Sequence, residues 1–118
     1  MIQMRFNSVS ASEAGDYLQV LFEEEVDNLE AGYFLVQRQF EFPDEGEVYI
    51  ESTNTRLCGH FAVKAAALSR QRFRLEMPST NWQIIEIKFA TDQAGYEELE
   101  GALATMFEGR LQHARQDA

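Results

Sequence analysis

Apolar and polar residues alternate with a period of two along most of this chain, as in strands with one face turned to a core. Ile2, Met4 and Phe6 share one face, and Gln3, Arg5 and Asn7 the other. After the turn signal EAGD, Leu18, Val20 and Phe22 alternate with Tyr17, Gln19 and Leu21. The stretch GYFLVQRQFEF is apolar on both faces at its start, as a central strand would be. PDEGE breaks it, since Pro43 cannot donate to a ladder and Gly46 tolerates turn dihedrals. Val48 and Ile50 then alternate with Glu47, Tyr49 and Glu51. CGHFAVKAAAL reads as a strand with Phe61, Val63, Ala65 and Ala67 on one face, and alanine propensity leaves a helix over 61–68 as the alternative. RQRFRLEM sends Phe73, Leu75 and Met77 inward and Arg70, Arg72, Arg74 and Glu76 outward. PSTN turns the chain, and in WQIIEIKFA the inward set is Ile85, Ile87 and Phe89. Pairing these two strands as a hairpin places Glu86 near Arg72 or Arg74.

The period changes at the end of the chain. In TDQAGYEELEGALATMFEG the apolar residues Tyr96, Leu99, Ala102, Leu103, Met106 and Phe107 recur at helical spacing. Thr91 or Asp92 caps the start, and Gly109 suits the left-handed position after the last turn. Gly101, within the helix, marks close packing on the sheet. The expected fold is therefore α+β, with a C-terminal helix after six or seven strands. Seven strands laid flat make a sheet roughly 29 Å wide, and a helix is only about 10 Å across. The expectation is a strongly curved antiparallel sheet in largely sequential order, with the helix packed on its concave face. A homodimer, in which a second copy covers the sheet, is the other solution. Residues 1–109 read as a single domain and 110–118 as a frayed polar tail.

Length agrees with one domain, and the composition, 45% apolar and 12% aromatic, is that of a folded chain. Cys58 is the only cysteine, so no intrachain disulfide forms. The start has no basic region leading into an apolar stretch, and no apolar run reaches the roughly 18 to 20 residues that span a bilayer. The expected location is the cytoplasm. Charge is divided unevenly: residues 1–51 hold 12 of the 20 acids and only two basic residues, Arg5 and Arg38, so the whole excess of −10 sits there. A nucleic acid or an anionic membrane is a poor partner for such a surface, and a basic protein a good one.

The chain has no Gly-rich phosphate loop, no HExxH, no Gly-x-Ser-x-Gly and no paired cysteines, so no enzyme, metal or cofactor is expected. Cys58 and His60, two apart on a strand, are the minimum for a thiolate–imidazole dyad, but no third orienting group can be named. The run FEEEVDNLE holds five acids, yet it neither alternates ligands nor carries the glycine that a calcium loop uses at its bend. The ladder Arg70, Arg72, Arg74 reads as a solvated strand face.

The order of segments carries one further reading. An aromatic-aliphatic YFLVQRQFEF follows an acidic loop. Then come an acidic turn, VYIE, the glycine-containing CGHFAV, ALSRQRFRLEM, IEIKF and a terminal YEELEGALATMF. Over about residues 4–108 this resembles family ten of the immunity proteins of bacterial polymorphic toxin systems, most tellingly in YFLVQRQFE and LSRQRFRLEM. The resemblance implies a non-enzymatic inhibitor that binds and neutralises a cognate toxin domain. A basic toxin cleft fits the charge asymmetry. The expected partner-binding residues are Glu23, Glu24, Glu25, Asp27 and Glu30, with Asp44, Glu45 and Glu47 beside them, and with Leu29 and Tyr33 as apolar and aromatic anchors. The competing reading is a small-ligand-binding or regulatory module, with an apolar pocket between the sheet and the helix face of Tyr96, Leu99 and Leu103.

Overall fold

Among the residues described below, the alternating segments become ten strands in two sheets. A computed structural model describes residues 1–40, 47–54, 57–78 and 84–113. Its strands are β1 (Ile2–Phe6), β2 (Ser8–Ala14), β3 (Tyr17–Glu23), β4 (Tyr33–Gln39), β5 (Glu47–Ser52), β6 (Gly59–Ala62), β7 (Ala65–Leu68), β8 (Arg72–Glu76), β9 (Ile84–Phe89) and β10 (Leu111–His113). The helix α1 spans Gln93–Phe107. One sheet has the order β1-β9-β8-β7-β10, and the second runs β2-β3-β4-β5-β6. The fold is α+β with one helix among the described residues, as the periodicity implies. The single curved sheet of six or seven strands is replaced by two five-stranded sheets. The second sheet is sequential and antiparallel throughout. The first has parallel pairs at both edges, β1 with β9 and β10 with β7.

The division happens at two short crossings. Only Asn7 separates β1 from β2, and only Val63 and Lys64 separate β6 from β7, yet each pair is split between the sheets. The second crossing corrects the reading of CGHFAVKAAAL. Val63 is buried, but beyond it the buried residues are Ala66 and Leu68, not Ala65 and Ala67. A strand that leaves one sheet for the other reverses which face meets the core, and a run of alanines gives no contrast by which to see the reversal. The serine-rich β2 carries little alternation of its own, because SVSASEA offers only Val9 and Ala11 to the core. Leu111–His113, expected in the frayed tail, instead pairs with Ala66–Leu68.

Two sheets solve the coverage problem that one helix could not. Phe22 of β3 stacks on Phe73 of β8 at 5.9 Å between ring centroids and lies 5.6 Å from Phe89 of β9, so the inner faces meet there. Leu18, Val20, Phe34, Val36, Leu75, Ile85 and Ile87 belong to the same buried core. The helix packs against β2 and β3 and reaches the first sheet through Phe107, 6.2 Å from Phe73. Leu99 and Leu103 are fully buried in that core. Asp92 caps the helix by accepting the Gly95 N–H at 2.7 Å. Arg38 donates to the Met106 carbonyl at 2.6 Å and pairs with Glu108 at 3.3 Å, placing a cation at the negative end of the helix dipole. Arg110 donates to the Val63 carbonyl at 2.9 Å, which ties the helix exit to the second crossing.

Gly101 does not mark close packing. A Cβ at that position meets nothing within 4 Å, whereas one at Gly95 collides with Thr91 Oγ1. Gly101→Ala therefore raises stability by about 0.4–1 kcal/mol, read as a higher urea midpoint at unchanged slope. Gly95→Ala lowers it. A Gly101→Ala chain less stable than the parent contradicts this packing.

Candidate functional site

The acidic run lies between two paired strands, and its fold is specified by its own hydrogen bonds. Glu24 N–H donates to the Gly32 carbonyl at 3.0 Å, extending the β3–β4 ladder by one step beyond Glu23 and Tyr33. Asn28 N–H then closes a turn on the Glu25 carbonyl at 3.1 Å, and Leu29–Ala31 form a single 3-10 turn. Asp27 takes a left-handed conformation, φ 61°, which aspartate tolerates better than most side chains. The base is held at the first sheet crossing, where Asn7 donates its backbone N–H to Glu23 O and its side-chain amide to Glu24 O.

These contacts sort the expected partner-binding residues. Glu24, Glu25, Asp27 and Glu30 are exposed on the loop. Glu23 is only 8% exposed, and its carboxylate accepts the Asp27 N–H at 3.1 Å. It therefore shapes the loop from within, a role that a count of acids could not distinguish from the others. Leu29 opens the 3-10 turn. Glu47 is exposed at the start of β5, and Asp44 and Glu45 lie outside the described residues. Val26, not singled out in the sequence, stands 62% exposed among the acids.

Tyr33 belongs to a larger surface. Phe34 and Val36 point into the core, so the alternate residues Tyr33, Leu35, Gln37 and Gln39 form the outward side of β4. Register sets them beside Tyr17, Gln19 and Leu21 of β3 and beside Tyr49 and Glu51 of β5. Three of the four tyrosines in the chain thus share one sheet face. Among the described residues, no outward position of β2 to β6 is Lys or Arg; Arg38, the one cation in these strands, turns inward to the helix. A depression of about 200 Å³ opens on this face, lined by Tyr17, Gln37, Arg38, Gln39, Glu47, Tyr49 and His60. The tyrosines were available to sequence reasoning through strand parity, since Tyr17, Tyr33 and Tyr49 each sit next to a residue of the inward set.

Glu51 organises the end of this face nearest the loop. Its two carboxylate oxygens accept hydrogen bonds from Tyr33 and Tyr49, each at 2.8 Å. The two bonds hold the Glu51 carboxyl below its usual range. The bond to Glu51, with burial and the nearby negative charge, pushes the Tyr33 phenol up to about 12, and the same bond is the largest cause of an upward shift at Tyr49.

Cys58 and His60 flank Gly59, at the start of β6. The exposed Cys58 thiol donates to the Ser52 carbonyl at 3.4 Å, and the His60 ring lies 5.4 Å from that of Tyr49. Among the described residues, no group of three His, Cys, Asp or Glu side chains is placed to hold a metal ion. No helix among them is long and apolar enough to cross a membrane. A shallow groove of about 400 Å³ runs between α1 and β2, lined by Ala11, Leu18, Glu97, Gly101, Ala102 and Thr105 rather than by Tyr96, Leu99 and Leu103. The sequence matches no model of a known protein family and no curated protein.

A phenol pKa raised on folding stabilises the fold below the unfolded value of 10.0, and that contribution is lost as pH rises through about 12. The lowered Glu51 carboxyl acts in the opposite sense, contributing above its ordinary 4.5 and losing that contribution as pH falls through its folded value. Tyr33→Phe therefore lowers stability between these limits, by about 0.5–1.5 kcal/mol, and the deficit closes at both extremes. In the parent, the Tyr33 ring carbon bonded to oxygen keeps its phenol chemical shift at about pH 11. Half-conversion near the ordinary phenol value contradicts the Glu51 assignment.

Proposed function

We propose that this chain is an immunity protein of a bacterial toxin system: a cytoplasmic inhibitor that binds a cognate, basic toxin domain and blocks it without chemistry of its own. The observation that carries the reading is an ordered acidic loop adjoining a sheet face with three tyrosines and no Lys or Arg among its described residues. The order of sequence motifs supports the same class. Glu24, Glu25, Asp27 and Glu30 provide the negative field that speeds encounter with a basic cleft. Tyr17, Tyr33 and Tyr49 provide large contact area with little side-chain entropy to lose, and Val26 a small apolar anchor.

Co-expression with the toxin domain encoded beside this chain tests the reading. Rescue of growth and a complex that survives sizing chromatography are expected; lack of both overturns it. Combined Glu24→Lys, Glu25→Lys and Glu30→Lys substitution slows association at least tenfold at low salt and flattens its salt dependence. Tyr33→Ala or Tyr49→Ala costs roughly 2 kcal/mol or more of affinity, about thirtyfold, chiefly through faster dissociation. Unchanged rates in both sets place the interface elsewhere.

A further inference from the structure

The second sheet ends at β2, and no strand lies beside its outer edge among the described residues. Nor does any described turn or loop give that edge a backbone hydrogen bond. At seven residues, β2 offers about 24 Å of unpaired ladder. An edge of that length is a template for a further strand unless charge or proline blocks it. SVSASEA has no proline, lysine or arginine, and Glu13 is its one charge.

Beside this edge runs the groove of about 400 Å³ between β2 and α1. Its floor is apolar, from Ala11, Leu18 and Ala102. Its exposed rims are acidic, with Glu13 on the strand and Glu97 and Glu98 on the helix. Among the described residues, no Lys or Arg lines it. Glu97 accepts the Gln93 side-chain amide at 3.2 Å, a neutral donor that leaves the charge uncancelled. Gly101 opens the helix side. A Cβ there meets nothing within 4 Å, so no contact inside the chain calls for glycine. Glycine is unfavourable in a helix interior, and here it bares the helix backbone to whatever enters the groove.

We propose that β2 accepts an extended segment of a basic protein partner as a sixth strand. Main-chain hydrogen bonds to the free edge hold the segment, and alternate side chains enter the groove. An apolar side chain lies over Gly101 and Ala102, and flanking lysines or arginines face Glu13, Glu97 and Glu98. A second copy meeting this one edge to edge is disfavoured, because neither β2 nor α1 has a cation to set against these acids. The groove lies on the helix side of the sheet, opposite the tyrosine face, so the proposal stands whether or not the partner is a toxin.

A seven-residue probe with lysine, valine and lysine alternating between threonines tests the site, followed by amide chemical shifts. Saturable shifts at Ser8–Ala14, Gly101 and Ala102 are expected, with cross-strand nuclear Overhauser contacts between probe and β2. Replacing the valine by proline, which removes a ladder donor, abolishes them. Glu13→Gln, Glu97→Gln and Glu98→Gln together weaken binding about tenfold, as three exposed ion pairs allow. Glu76→Gln, on the other sheet, leaves it unchanged. Gly101→Leu fills the groove and removes saturable binding, while the urea midpoint shows that the chain remains folded. No saturable shift along β2, equal binding of the proline probe, or binding that survives Gly101→Leu each overturns the proposal. So do shifts of the same amides on raising protein concentration without probe, which assign the edge to a second copy.

Discussion

The fold depends on the two sheets closing over Phe22. This ring has four aromatic neighbours, Phe6, Phe34, Phe73 and Phe89, with centroids between 5.6 and 6.3 Å away. Three of them come from the opposite sheet, so one side chain of β3 joins β1, β8 and β9 in a single contact set. Removal of a buried phenylalanine of this kind typically costs about 3–5 kcal/mol, a large part of the stability of a small domain. The crossings at Asn7 and at Val63–Lys64 make that closure topologically simple, because the chain changes sheet without a long connection. Arg110 and Arg38 fasten the helix to the closed pair, one at the second crossing and one at the end of β4.

Closure also explains how the outer faces came to differ. Because each sheet buries its apolar side against the other, neither outer face has to pack against anything within the chain. The outer face of the second sheet is aromatic, with Glu47 and Glu51 as its charges and the acidic loop at its margin; that of the first carries Arg5, Arg72, Arg74 and Lys88 against Glu76 and Glu86. The uneven charge along the sequence thus becomes an uneven charge across the molecule. Two surfaces of opposite sign, held about one sheet sandwich apart, can bind different partners without interference.

Local pattern revealed which residues point inward but not which strands meet. Leu18, Val20, Phe22, Phe73, Leu75, Ile85 and Ile87 all lie in the core that alternation assigns them. The hairpin of β8 and β9 pairs Arg74 with Glu86 as its pattern requires, and the helix starts at its Asp92 cap. The division into two sheets was hidden because period-two alternation is the same in either sheet, and because a crossing of one or two residues leaves no turn signature. β10 was hidden for a related reason: three residues after a helix, paired in parallel with distant alanines, have no local pattern of their own. At the candidate site, acid content located the loop, and strand parity would have located the tyrosines. The inward role of Glu23 could not be read in this way, because it depends on where the Asp27 backbone N–H lies once the loop has folded.

The central claim is that the outward face of β3, β4 and β5, with the loop between β3 and β4, meets a basic partner. Tyrosine itself reports on this, since one of the four tyrosines, Tyr96, lies on the helix near Arg70 and away from that face. Hydroxyl-radical labelling of the chain, alone and in complex with the toxin domain, compares the four side chains within one sample. The account predicts that Tyr17, Tyr33 and Tyr49 lose labelling on complex formation while Tyr96 does not. Protection of Tyr96, with the three sheet tyrosines labelled as in the free chain, would contradict it.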